Sequence, residues 1–462
     1  MKEEPLELDR SLKNRHVQLI SIGGAIGTGL FLGSGKSIHL AGPSILLAYA
    51  IVGGMCFLIM RALGELLLSN TNHHSFLDFV AEYLGTRAAF VMGWTYWFCW
   101  ISIAMADLTA IGTYVRYWTP NIPMWLPEII ALAILISLNL IAVSLFGELE
   151  FWFALIKVIA IIALIVVGGY MILVHFPTSS GEVSVTNLWQ NGGFFATGAQ
   201  GFLLSFQMVT FAFVGVELVG LVAGETKDPE KVLPKAINNI PIRIILFYLG
   251  SLFVIMAIYP WNSLDPTASP FVEVFSDIGI ASAATVINVV VLSSAASACN
   301  SAIYSTGRML RSLSQEGNAP KQFVKLTKHK VPARAILFST AVIFGSILLN
   351  YFLPSEAFTL ISSVATTCFI VVWGMLVAAH MKYKQTPAGK ANQTFKMPGY
   401  PFSSYVVFLF LVFILVILYF AKDTREALIV TPIWFVALLV IYQVRYAKKE
   451  GAANTLEATK NQ

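Results

Sequence analysis

The stretch Gly23-Gly24-Ala25-Ile26-Gly27-Thr28-Gly29 lies inside the first long apolar segment and decides how the fold is read. Four of its seven residues are glycine, and each lowers helix propensity by about 1 kcal/mol relative to alanine. An unpaired backbone group in hydrocarbon costs several kcal/mol, so a break at membrane depth persists only where protein covers it or it lines a cavity. A second irregular segment, Phe211-Ala212-Phe213-Val214-Gly215-Val216-Glu217, lies in the sixth apolar segment. Two interrupted helices at matching places in two halves point to a midplane substrate site in a secondary transporter. The competing reading is Gly-xxx-Gly helix packing, whose spacing Gly23 and Gly27 satisfy. It leaves the second segment unexplained.

The 462 residues are 57% hydrophobic and 12% charged, a balance that soluble domains do not show. Segments able to cross a hydrocarbon core of about 30 Å recur throughout, at roughly 17–37, 42–62, 88–117, 124–145, 150–175, 199–222, 240–260, 280–307, 334–353, 357–381, 402–420 and 427–446. The expectation is an all-α polytopic membrane protein with twelve transmembrane helices. The positions of the breaks suggest a five-helix unit repeated once with inverted topology, helices 1 and 6 being broken, plus two extra helices. The layout is a tail at 1–16, a transport core at 17–381, a loop with the last two helices at 382–446, and a tail at 447–462. The two repeats would span about 17–175 and about 199–381.

The net charge is +5, and its distribution says more than its size. Even-numbered connections hold nearly all the basic residues, including Lys227, Lys231 and Lys235, then Arg308 to Arg334, then Lys382 to Lys396. The connections at 176–198 and 261–279 hold no lysine or arginine. The positive-inside rule then puts both termini in the cytoplasm. These charges flank helices and carry no base-stacking aromatics, so nucleic acid is a poor partner. The mixed-charge start lacks a cleavage site and reads as a retained helix, not a signal peptide. Cys56, Cys99, Cys299 and Cys368 stand apart inside apolar segments, without disulfide or metal spacing.

The first break exposes N–H groups at Gly27, Thr28 and Gly29, a ready site for a substrate carboxylate. A side chain at Gly29 is expected to block its close approach. The second break would leave carbonyls for an ammonium, with Phe211 and Phe213 covering the ligand. Lys157, Glu217 and Asp107 lie far from any interface, and such buried charges mark ion or proton paths. Snorkelling is the alternative for Lys157; a structural hydrogen-bonding role is the alternative for the two acids. Gly33-Ser34-Gly35-Lys36-Ser37 mimics a phosphate loop, but Leu30 stands where the motif needs glycine and no strand precedes it. His73-His74 has no further spaced ligand, so no metal is expected. No nucleophile–base arrangement supports an enzyme.

Longer segments carry a family resemblance. They are Asn14 to Phe31, Arg61-Ala62-Leu63-Gly64-Glu65-Leu66, Phe146-Gly147-Glu148-Leu149-Glu150-Phe151-Trp152 and Gly224-Glu225-Thr226-Lys227-Asp228-Pro229-Glu230. In these the chain resembles the bacterial amino acid permeases of the amino acid–polyamine–organocation superfamily. Gly93 to Trp100, Met105-Ala106-Asp107, Ile240 to Ile245 and Asp423 to Leu428 resemble the branch that carries D-serine, D-alanine and glycine. Asp107 stands where other branches typically have Glu.

The resemblance implies the twelve-helix, five-plus-five fold and proton-coupled uptake across the bacterial cytoplasmic membrane. It implies that Gly27, Thr28 and Gly29 hold the carboxylate, and that the carbonyls of Ala25, Phe211 and Val214 hold the ammonium, with Phe211 as gate. Glu217 would match an acid implicated in coupling, and Lys157 a lysine whose ammonium takes the place of sodium in sodium-driven relatives. The expected driving ion is the proton, with no sodium and no cofactor. Expected substrates are small neutral amino acids (D-serine, D-alanine, glycine and L-alanine). The alternatives are a broader permease or exchanger, or an amino-acid sensor without net flux.

Overall fold

The computed structural model describes residues 26–460 apart from 72, 74, 142, 179, 219, 221–227, 277–280, 329, 354–355 and 393–394. Side chains at 141–149, 276, 281 and 446–460 also lie outside the description. Ala25, expected to present a carbonyl to the ammonium, falls outside it, as do Gly23 and Gly24.

The described chain is almost wholly helical. The helices are α1 (Thr28–Phe31), α2 (Gly33–Ala41), α3 (Ile45–Ser69), α4 (Phe76–Leu84), α5 (Thr86–Arg116), α6 (Trp125–Ile141), α7 (Val143–Leu173), α8 (Gly198–Phe211) and α9 (Pro229–Asn238). After them come α10 (240–258, with a π-helical middle at Ile244–Gly250), α11 (Pro270–Ser276), α12 (Ala281–Gln315), α13 (Ala333–Ile343), α14 (Gly345–Phe352), α15 (Ala357–Gln385), α16 (Phe402–Phe420) and α17 (Ala427–Lys460). One departure from an all-α chain is a two-stranded hairpin, Pro177–Thr178 against Gly181–Glu182. The stretch expected as a tail, 447–462, continues α17 as helix to Lys460.

Among the described residues nine helical runs are long and apolar enough to cross a membrane. The chain is a multi-pass membrane protein. Three expected stretches differ in form. The second half of 17–37 joins 42–62 across the turn at Gly42–Ser44 as one run, Gly33–Ser69. The stretch at 124–145 forms the shorter Trp125–Leu140, and that at 199–222 stops being helical at Phe211. The outer faces of α7, α16 and α17 carry exposed Trp152, Ile159, Val166, Leu409, Val416, Ile433 and Val436. Exposed apolar side chains at this density suit contact with lipid, not water.

The long α5 runs through the middle, packed against α12 and α15, while α2 and α3 lie on α8. At the end of the molecule rich in Lys and Arg, a buried polar cluster ties α3 to α15. Glu65, fully buried, takes a hydrogen bond from Lys384 Nζ on Oε1 (2.8 Å), one from the Met397 N–H on Oε2 (2.9 Å), and faces His380 Nε2 at 2.8 Å. Arg61, one helical turn before Glu65, reaches Asn238 Oδ1 at 2.7 Å and the Lys396 carbonyl, and lies over the Phe395 ring at 3.8 Å. Arg61 and Glu65 thereby bind the segment after α15 and the end of α9 to α3.

Candidate functional site

The two irregular segments meet. At the first, Gly27 is extended (φ −127°, ψ −163°) and no side chain caps the helix that follows. The N–H groups of Leu30 and Phe31 return to the Gly27 carbonyl at 3.1 and 3.2 Å, and that of Leu32 to Thr28. Those of Thr28 and Gly29 have no acceptor within the helix, as at any helix start. At the second, α8 ends at Phe211 and the chain continues as tight turns. The N–H groups of Val214, Val216 and Leu218 bond to the carbonyls of Phe211 (3.1 Å), Phe213 (3.3 Å) and Gly215 (3.0 Å). Gly215 has φ +95°, a conformation that excludes most side chains.

Glycine brings the segments together. A Cβ on Gly29 would stand 2.6 Å from Ala212 Cα, and one on Gly33 would stand 2.7 Å from Met208 Sδ. Gly29 and Gly33 thus form a small-residue face on which α8 lies antiparallel. The competing reading of the first segment paired Gly23 with Gly27. Gly23 lies outside the described residues, and a Cβ on Gly27 would meet nothing within 4 Å. The expected reason for glycine at 29, room for a carboxylate, is likewise joined by a steric one: the second segment's backbone occupies that space.

Between the segments is a small cavity of about 40 Å³, room for about three waters. Gly27, Thr28 and Gly29 line one wall, and Phe211, Val214 and Gly215 another. Trp100, Ile103 and Asp107 of α5, Glu150 of α7 and Ser301 of α12 complete it. Thr28 Oγ1 donates to Asp107 Oδ1 at 2.8 Å, which fixes the carboxylate beside the first break. The Phe211 ring meets Phe358 edge-on at 6.0 Å. Phe358 in turn lines a larger vestibule of about 880 Å³, with Lys36, His39, Arg116 and Glu273 on its walls. Phe211 therefore stands between the two spaces, where a gate would stand.

Other expected site residues lie elsewhere. Phe213 does not line the cavity. It stacks on Tyr248 at 4.6 Å and 13° and lies near Tyr49 at 5.8 Å, while the Tyr248 hydroxyl donates to the Ala212 carbonyl at 3.1 Å. Its work is to hold the second break against α3 and α10. The Phe211 carbonyl, expected to be free, already accepts from Val214. Glu217 is fully buried outside the cavity lining, with Oε1 facing the Tyr96 hydroxyl at 3.4 Å and Oε2 the Trp373 indole N–H at 3.3 Å. Lys157 is fully buried as well, so its ammonium does not snorkel to an interface. The carboxylates acting on it are Glu150, the stronger, and Asp107. Lys36 of the phosphate-loop mimic sits on helix α2, bonded to Thr359 Oγ1 at 3.0 Å and paired with Asp423.

Glu150 is the functional candidate that the sequence reading passed over. It lines the cavity, and its Oε2 accepts from Ser297 and Ser301 at 2.8 and 3.0 Å. The available signal was its spacing from Lys157, two helical turns along an apolar segment, which puts both on one face.

The model of the amino acid permease family matches residues 16–451. The chain is 64% identical to the uncharacterized transporter YdgF of Bacillus subtilis, over 96% of this chain and 97% of that one. It is 62% identical to the amino-acid permease AapA of the same organism, over 95% of each. It is 52% identical to the D-serine/D-alanine/glycine transporter of Escherichia coli K12, over 93% of each. With two irregular segments meeting at one cavity, and with likeness of this extent, the chain belongs to the amino acid permease family.

Proposed function

We propose that this permease is a proton-coupled symporter importing small neutral amino acids, namely glycine, D-alanine, D-serine and L-alanine. The observation that carries the reading is the small size of the cavity, about 40 Å³, walled by Trp100, Ile103 and Phe211. A long apolar side chain would compete with these for space. The carboxylate would lie on the N–H groups of Thr28 and Gly29, with Phe211 closing over the ligand. A cationic side chain would need an acid of its own, and an unpaired charge in a dry site is costly. The relative named for D-serine, D-alanine and glycine supports those three of the four substrates.

Coupling is assigned to the proton, with no sodium, no other cofactor and no enzymatic step. Lys157, on which Glu150 and Asp107 act, would when protonated supply the positive charge that a bound sodium supplies elsewhere. Lys157 is the residue assigned to change protonation in the cycle. Glu217 would link the second break to Tyr96 and Trp373 as that break moves. In the bilayer the chain is read as twelve helices, a five-plus-five inverted repeat and two more, with both termini in the cytoplasm of a bacterium.

Competition against labelled D-alanine in proteoliposomes tests the substrate reading. Glycine, D-serine and L-alanine are expected to compete at least about a hundredfold better than lysine or phenylalanine, the difference of roughly 3 kcal/mol that an unpaired charge or a steric clash produces. Efficient competition by lysine or phenylalanine overturns it.

A further inference from the structure

We infer that Asp107 is the partner of the substrate ammonium, in place of the main-chain carbonyls of the second break. The inference rests on the amino-acid reading above. Asp107 is 1% exposed and lines the cavity. Its Oδ1 is held by the Thr28 hydroxyl, and among the described residues its Oδ2 is buried with no hydrogen-bond donor. A buried carboxylate oxygen left without a donor calls for one, and a cationic donor answers its charge as well.

The other acceptors around the cavity are better supplied. Glu150 receives both Ser297 and Ser301, and it acts on Lys157 more strongly than Asp107 does. The Phe211 carbonyl takes the Val214 N–H and the Ala212 carbonyl takes the Tyr248 hydroxyl. Among the acceptors compared, Asp107 Oδ2 is the one without a donor. An α-amino acid carries its ammonium next to its carboxylate, and Thr28 joins the two matching places. Its main chain lies on the side assigned to the carboxylate, and its hydroxyl positions Asp107 for the ammonium. Such a pair of contacts leaves the side chain of a small substrate unread, which suits acceptance of both hands of alanine and serine.

Calorimetric titration of the purified full-length protein with alanine and with lactate tests this, since lactate replaces the ammonium by a hydroxyl. Wild-type protein is expected to prefer alanine by at least about thirtyfold, the range of a charge-assisted hydrogen bond. Asp107→Asn keeps an oxygen for Thr28. It is expected to weaken alanine by about that factor while moving lactate less than about threefold. Alanine binding by Asp107→Asn within about threefold of wild type overturns the assignment. So does loss of proton-driven accumulation with alanine binding intact, which would make Asp107 a coupling group. Should the variant not fold, the wild type decides alone: equal affinity for lactate and alanine overturns the inference. Failure of the wild type to bind glycine, alanine or serine at all would remove the substrate reading and this assignment with it.

Discussion

Gly29→Ala is expected to abolish most uptake, whereas Gly27→Ala, whose methyl would face open space at the cavity wall, is expected to leave the contact of the two segments intact and to reduce uptake less. The two residues sit two apart in the same break, and composition alone treats them alike. A methyl group at position 29 would stand 2.6 Å from Ala212 Cα, a backbone atom that cannot swing aside, while one at position 27 meets nothing within 4 Å. Overpacking of this kind costs about 1–3 kcal/mol. Its larger effect is on geometry, because relieving the clash pushes the two broken segments apart. A displacement of about 1 Å costs an enzyme site roughly a hundredfold, and uptake is expected to fall by a similar factor. Initial rates of glycine uptake by the two variants, with thermal unfolding as the control, check the contrast. Uptake by Gly29→Ala at the wild-type rate would show that the segments need not touch.

Glu65→Ala is expected to give the largest loss of stability. The substitution leaves Lys384 and His380 facing a void, and it orphans the Met397 N–H. Removing one partner of a buried ion pair typically costs about 3–5 kcal/mol, because the other charge stays buried. Glu65→Gln, which keeps an acceptor, is expected to lose less. Urea or thermal unfolding of detergent-purified protein measures both. A change under about 0.5 kcal/mol for Glu65→Ala, the scale of an ordinary surface substitution, would mean that the cluster contributes no net cohesion.

Both breaks were legible because glycine and turn residues inside an apolar segment conflict with helix formation whatever surrounds them. From that conflict Thr28, Gly29, Phe211 and Val214 could be placed near one site, and the structure brings them around one cavity. What a side chain faces was less legible. Phe211 and Phe213 look equivalent in sequence, yet the turns after Phe211 send Phe213 to Tyr49 and Tyr248. Asp107 was read with the proton path, because nothing local shows that it bonds to Thr28, 79 residues away. Glu65, His380 and Lys384 are separated by more than 300 positions, so their cluster is invisible without the fold. Glu150 was hidden differently. It stood inside a segment read as a family marker, and its helical spacing from Lys157 was not used.

Import of a small amino acid driven by protons is tested by accumulation of labelled glycine in proteoliposomes carrying the wild-type protein, in sodium-free buffer with an imposed pH gradient, acidic outside. Uptake above the equilibrium level is expected, collapsing when a protonophore dissipates the gradient. Lys157→Met is expected to bind glycine but fail to accumulate it. Accumulation that needs sodium, or that is indifferent to the pH gradient, would contradict proton-driven import.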